Sequence, residues 1–259
     1  MTGVISIGVS GIAGWKVVQR SETRQIAAIE ADPVVQRSTT YFKDKIGGIS
    51  EAADLVKDYR LLNTALSAFG LEDDIANKAF IQKVLESDIS DSSSLVNRLS
   101  DKRYLRMAEA FGFGGATPAA DLGETVGAAF VQREFERRIG EGDENLRLAL
   151  NARRELEAMV GRDSSDKTLW YEVMGNPPLR EVFEGAFGFS DNYAQLDVDR
   201  QLEEFMEASE RYLGTSSFAD LTESGMIDKL IINFMARSQI ETGTVQNRYS
   251  TALTLLSGG

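Results

Sequence analysis

The sequence predicts an all-α, multihelical protein with two similar helical subdomains. Three observations carry that expectation. Apolar residues recur at helical spacing nearly throughout the 259 residues. The nearest approach to a strand is "VISIGVS" at the start, and its glycines weaken it. The string Ala-Phe-Gly-apolar is written three times, at 68–71, 110–113 and 186–189.

In chain order, Trp15, Val18, Ile26 and Ile29 share one helix face, with Glu22 as the polar exception. Pro33 ends that helix, because the residue before a proline disfavours the helical region. A second helix carries Val35, Ser38, Phe42 and Ile46 and stops at Gly47–Gly48. Ser50 is placed to cap a third, "EAADLVKDYRLLNTALSAF", whose face runs through Leu55, Tyr59, Leu62 and Leu66.

Gly70 then explains the recurring string. A glycine adopts the left-handed conformation that closes a helix without steric cost, and the next apolar residue folds back on the last turn. Leu71 is thus expected to meet Leu66, Phe113 to meet Met107 or Ala108, and Phe189 to meet Phe183. An aromatic binding box is the functional alternative, but aromatics at helical period are usually core.

The likeness extends beyond the stop signal. At an offset of 118, Ile75 matches Tyr193, Phe80 matches Val198 and Val84 matches Leu202. At 123, Leu95 matches Phe218, Tyr104 matches Ile227, Met107 matches Leu230 and Phe111 matches Phe234. The change implies a five-residue insertion near "ERYLGTSS". Two copies make a duplicated subdomain, not a solenoid. The expected organisation is an N-terminal helical arm (1–58), repeat one (59–113), a helical linker (114–176), repeat two (177–237) and a C-terminal helical tail (238–259).

The linker opens with the Gly-rich "GFGG" and continues as a helix bearing Ala128, Val131, Phe135 and Ile139. "GEG" at 140–142 breaks it, and Asp143 caps a helix bearing Leu146, Ala149, Ala152, Leu156 and Met159. "KTLWYEVMG" is a short helix. Asn176 caps the next, with Pro177 in its first turn. The tail places Val245, Tyr249, Ala252 and Leu256 at helical spacing.

Composition excludes several chemistries. With neither cysteine nor histidine, disulfides, His–Cys zinc sites, cysteine nucleophiles and Ser–His–Asp triads are impossible. A net charge of −12 argues against nucleic-acid binding, which needs clustered Lys and Arg. Residues 1–45 hold six basic side chains against four acidic ones, so a mildly basic arm precedes an acidic body. No apolar run approaches a membrane span. No Sec signal is expected, since the first positive charge, Lys16, follows the apolar stretch.

No motif supplies a reaction centre. "GFGG" and "GEG" lack the frames and the preceding strand of phosphate loops. "GVSG" is not a nucleophile elbow. "EDD" (72–74) and "DVD" (197–199) lack a calcium-loop pattern, and "EDD" reads better as acids at a helix start. In "QREFERRIGEGDE", Glu134–Arg138 forms an i,i+4 pair, by default on a solvated face. The expectation is therefore no catalytic residue, no metal, no cofactor and no small-molecule ligand.

Three long segments, "DLVKDYRLLNTALSAFGL" (54–71), "FVQREFERRIGEGDENLRLALNARREL" (130–156) and "WYEVMGNPPLREVFEGAFGF" (170–189), resemble the bacterial family known as domain of unknown function 1217. The likeness runs from about Gly14 to Arg237. It implies an all-helical fold of two similar subdomains, an alphaproteobacterial origin and genes that often lie among flagellar genes. It carries over no catalytic residue. The short N-terminal signatures of flagellar rod and hook proteins are missing.

The resulting expectation is a non-enzymatic, flagellum-associated structural or assembly protein, cytoplasmic or flagellum-bound, that works through a protein partner. The contact elements would be the two ends, at Trp15, Val18, Ile26, Ile29, Val245, Tyr249 and Leu256, although packing of those stripes on the body is the simpler alternative. A cytoplasmic helical adaptor or chaperone is the second reading, and a carboxylate-dependent enzyme the third.

Overall fold

The computed structural model describes residues 5, 7–190, 193, 195–223 and 225–240, and every regular element among them is helical. The helices are α1 (Gly11–Glu30), α2 (Pro33–Ile46), α3 (Ala52–Lys57), α4 (Tyr59–Phe69), α5 (Lys78–Leu85), α6 (Leu95–Arg98) and α7 (Arg103–Phe111). They continue with α8 (Leu122–Gly140), α9 (Glu144–Glu157), α10 (Asp166–Gly175), α11 (Pro177–Phe187), α12 (Val198–Tyr212), α13 (Phe218–Leu221) and α14 (225–240). A 3-10 turn, Glu72–Ala76, follows α4. The described part of "VISIGVS" is not a strand.

The chain forms two compact units. The first comprises Ile5 and Arg20–Arg138, and the second the described residues within Ser6–Gln19 and Ile139–Gly259. The segment expected as repeat one lies wholly in the first unit and that of repeat two wholly in the second, while the expected linker is divided between them.

In the first unit α2 and α3 pack on α4, and α5 packs on α3 and α7. Leu55, Leu61, Leu62, Leu66, Ile81, Val84 and Phe111 fill its interior. The expected third helix is two helices, broken at Asp58, whose backbone is extended (φ −83°, ψ 104°). The Asp58 carboxylate accepts from the N–H groups of Arg60 and Leu61 and so caps α4. Ser50 is not the cap of α3; Glu51 holds that position and makes no side-chain capping bond. An internal acid that satisfies the orphan N–H groups of a new first turn is what lets the chain change direction there.

In the second unit α9 and α10 pack on α11, and α12 packs on α10 and α11. The core is aromatic. Trp170 touches Phe183, Phe205 and Phe218 at ring-centroid distances of 5.4, 6.1 and 5.0 Å. Its indole N–H donates to the Ser216 carbonyl at 2.9 Å, so the buried donor is satisfied. Asp143 and Asn176 cap α9 and α11 as expected, and Pro177 opens α11.

All three glycines of the recurring string are left-handed, with φ of 71° at Gly70, 69° at Gly112 and 73° at Gly188. Gly70 and Gly188 end their helices with the same pair of bonds. Leu71 N–H donates to Leu66 and Gly70 N–H to Ser67, at 2.8 and 3.1 Å; Phe189 N–H donates to Glu184 and Gly188 N–H to Gly185, at 3.0 and 3.3 Å. This is the Schellman pattern. Gly112 makes the simpler single bond to Ala108 at 2.9 Å. The rings that follow these glycines also pack on neighbouring rings: Phe113 stacks on Phe111, and Phe189 packs on Phe187 and Tyr193. After a left-handed residue the next side chain lies over the helix end, where the neighbouring ring already sits.

Gly188→Ala is expected to lower stability by about 1 kcal/mol through the positive φ. The atoms nearest to the added methyl belong to the flexible guanidinium of Arg237. A thermal melt unchanged from wild type would show that the left-handed stop is not strained by a side chain.

Candidate functional site

A recess in the first unit lies where α2 ends and α8 begins, and its parts follow from local sequence. Helix α2 stops at Ile46, and Gly47–Gly48 turn the chain toward Ile49 and Ser50. Helix α7 stops at the left-handed Gly112. A Cβ there would lie 2.7 Å from the Ala116 carbonyl oxygen and 2.8 Å from the Pro118 nitrogen, so the loop is folded tightly over the glycine. The loop then leads into α8 at Leu122.

Helix α8 approaches α2 through two glycines one turn apart. A Cβ on Gly123 would sit 3.4 Å from the Lys43 Cα, and one on Gly127 would sit 3.1 Å from the Lys43 Cε. The Lys43 ammonium bonds to Glu124 at 2.5 Å. Between these elements is a cavity of about 650 Å³, walled by Ile46, Ile49, Phe111, Phe113, Pro118 and Leu122. Phe111 is fixed from behind by Phe42 and Phe69, with ring centroids at 6.4 and 6.3 Å. Lys43 is the one ionisable side chain among the lining residues, and its charge is already met by Glu124.

Elsewhere the polar clusters do structural work. The Glu134–Arg138 pair expected on a solvated face is inside the first unit: Arg138 is 5 % exposed and bonds to Glu134 at 2.8 Å and to Asp32 at 2.9 Å. Asp32 also caps α2 through the Val34 N–H. That backbone bond, and then Arg138, hold the Asp32 carboxyl below its ordinary value. Burial pushes Glu134 up, but the Arg137 and Arg138 guanidinium groups outweigh it and leave the carboxyl low. Burial likewise opposes ionisation of Asp58, yet Tyr41 and the N–H groups of α4 keep it low. Tyr104 donates to Asp74, and desolvation with that bond drives its hydroxyl pKa far upward. Three of the Asp and Glu acids that accept these bonds are thereby held as anions.

Among the expected contact residues, Trp15 and Val18 are fully buried in the second unit and Ile29 is 2 % exposed in the first. Arg153 stands over the Trp15 ring at 5.4 Å. Ile26 is half-buried. Val245, Tyr249 and Leu256 lie outside the described residues. The cavity itself escaped the sequence reading. Its walls come from two segments far apart in the chain, 43–50 and 111–123, and the Gly-rich "GFGG" within it reads locally as helix punctuation.

The profile of the family described as protein of unknown function, DUF1217, matches residues 68–226. The chain belongs to the DUF1217 family. No curated protein matches it. A solved structure similar to this DUF1217 chain is the X-ray crystal structure of a protein from Agrobacterium tumefaciens, a structural-genomics target. It is 26% identical with a TM-score of 0.74, over 88% of this chain and 93% of that chain. Among the described residues of this DUF1217 chain, no helix is long and apolar enough to cross a membrane.

Proposed function

We propose that this DUF1217 protein is a non-enzymatic, flagellum-associated structural or assembly protein that acts by binding another protein. The observation that supports binding over catalysis is the state of the ionisable groups around the first unit's recess and helix ends. The single ionisable side chain lining the first unit's cavity is ion-paired, and Asp32, Asp58 and Glu134 are committed as caps or bridges. A general acid or base needs a group poised near the working pH and within reach of substrate. The flagellar part rests on the genomic setting that the family resemblance implies. The second reading, a cytoplasmic helical adaptor, is favoured by the net charge of −12.

The likeness between the two units belongs to the same proposal. Helices α4 and α11 have the same length of 11 residues and the same Schellman end, and α6 and α13 match at four residues each. An experimental structure in which 59–113 and 177–237 differ in helix order would end the duplication.

A strain lacking the gene is expected to swim poorly or not at all, and the full chain should restore swimming. Truncation of α1 is a poor probe of the N-terminal contact, because it removes Trp15, Val18 and Ile29 from the core. Val17→Asp is better, since Val17 is 40 % exposed. Normal swimming and normal filaments in the deletion strain would sink the flagellar proposal and favour the adaptor.

A further inference from the structure

We propose that the cavity between α2 and α8 is a binding site for a small, uncharged, largely apolar molecule that carries a ring. Four features point to that ligand class. The volume of about 650 Å³ is several times that of one side chain and within the range of small-molecule sites. Its large apolar walls are recessed: Ile46 and Phe111 are buried, and Ile49, Phe113 and Leu122 are half-buried. The exposed lining residues are small or polar, among them Gly47, Ser50, Gly115 and Ala120. A recessed apolar floor under a rim of small and polar residues suits a small ligand better than the flat face of a partner protein.

Charge decides the rest. The one ionisable lining side chain, Lys43, sits at the exposed rim beside Glu124, and the recessed floor carries none, so a charged ligand group reaching that floor would meet no side-chain counter-ion there. Desolvating such a charge is costly without a partner. The Phe111 and Phe113 rings stack with centroids 5.7 Å apart and planes 28° apart, which presents an aromatic wall to a planar ring. The wall is preformed, because Gly112 is locked by Ala116 and Pro118 and Phe111 by Phe42 and Phe69. Preorganisation of this kind spares the ligand the cost of ordering its site. This site stands independently of the proposed protein-binding function.

The test uses the neutral dye N-phenyl-1-naphthylamine with the full-length protein. Wild type is expected to bind it saturably at one site with enhanced dye fluorescence. Gly47 lines the cavity at φ −63°, and a Cβ there meets nothing within 4 Å, so Gly47→Phe adds a ring without backbone strain. That variant, and Ala116→Phe from the opposite loop, should bind the dye about tenfold or more weakly. Gly48→Phe, one residue from the lining, should bind like wild type, and all variants should show wild-type circular dichroism. At high salt, where the protein's net charge is screened, the anionic 1-anilinonaphthalene-8-sulfonate should bind about tenfold more weakly than the neutral dye. Absence of saturable binding, equal loss in Gly48→Phe, or retention in both filling variants would overturn the site. Equal affinity for the anionic dye would overturn its preference for uncharged ligands.

Discussion

Trp170→Ala is expected to cost the second unit about 3–5 kcal/mol, the largest single-residue effect foreseen for this protein. Trp170 is fully buried and its ring contacts Phe183, Phe205 and Phe218 from three other helices. Truncation removes those contacts and leaves a cavity that four rigid helices cannot collapse around. The Ser216 carbonyl also loses its donor. The measurement is direct, because the chain has two tryptophans and the other, Trp15, belongs to the same unit. In the variant, Trp15 fluorescence should report unfolding at much lower denaturant. An unshifted Trp15 transition would contradict the packing described for that unit.

Arg138→Met should destabilise the first unit by about 3 kcal/mol at neutral pH. Methionine keeps the bulk of the stem but leaves Glu134 and Asp32 without the guanidinium that both accept from. Those carboxylates are 12% and 18% exposed, so some water reaches them and the lower end of the range for broken buried pairs applies. The pH dependence fixes the sign. Both carboxyls lie below their ordinary values of 4.5 and 3.8 in the folded protein. Their contribution is therefore present above those values and is lost as pH falls through the lower folded ones. The gap between wild type and Arg138→Met should be full near neutrality and close as the pH drops below about 4. A gap that stays constant down to pH ~3 would mean that lost packing, not lost charge pairing, causes the effect.

The residue pattern determines most of the helical architecture. Helical periodicity places Trp15, Val18, Leu62, Phe111 and Phe135 on buried faces, and the structure buries each of them. Local stop and start signals also read through, because a left-handed glycine or a capping Asp or Asn acts within one turn. Gly70, Gly112, Gly188, Asp143 and Asn176 all behave as their neighbours dictate. Such interactions span at most five residues, so no tertiary information is needed to predict them.

The tertiary structure decided what depends on distant partners. Asp58 breaks a continuous helical pattern because α3 and α4 each pack against other elements, a constraint invisible in their own periodicity. Arg138 and Glu134 look like a surface pair along the helix, yet Asp32 stands 106 residues away in sequence and completes a buried bridge. The cavity depends on the close approach of α2 and α8 through Gly123 and Gly127, and on a loop folded over Gly112. Burial of a charge and enclosure of a space are properties of several segments at once. A one-dimensional pattern encodes the preference of each segment, and only the packed chain sets which segments meet.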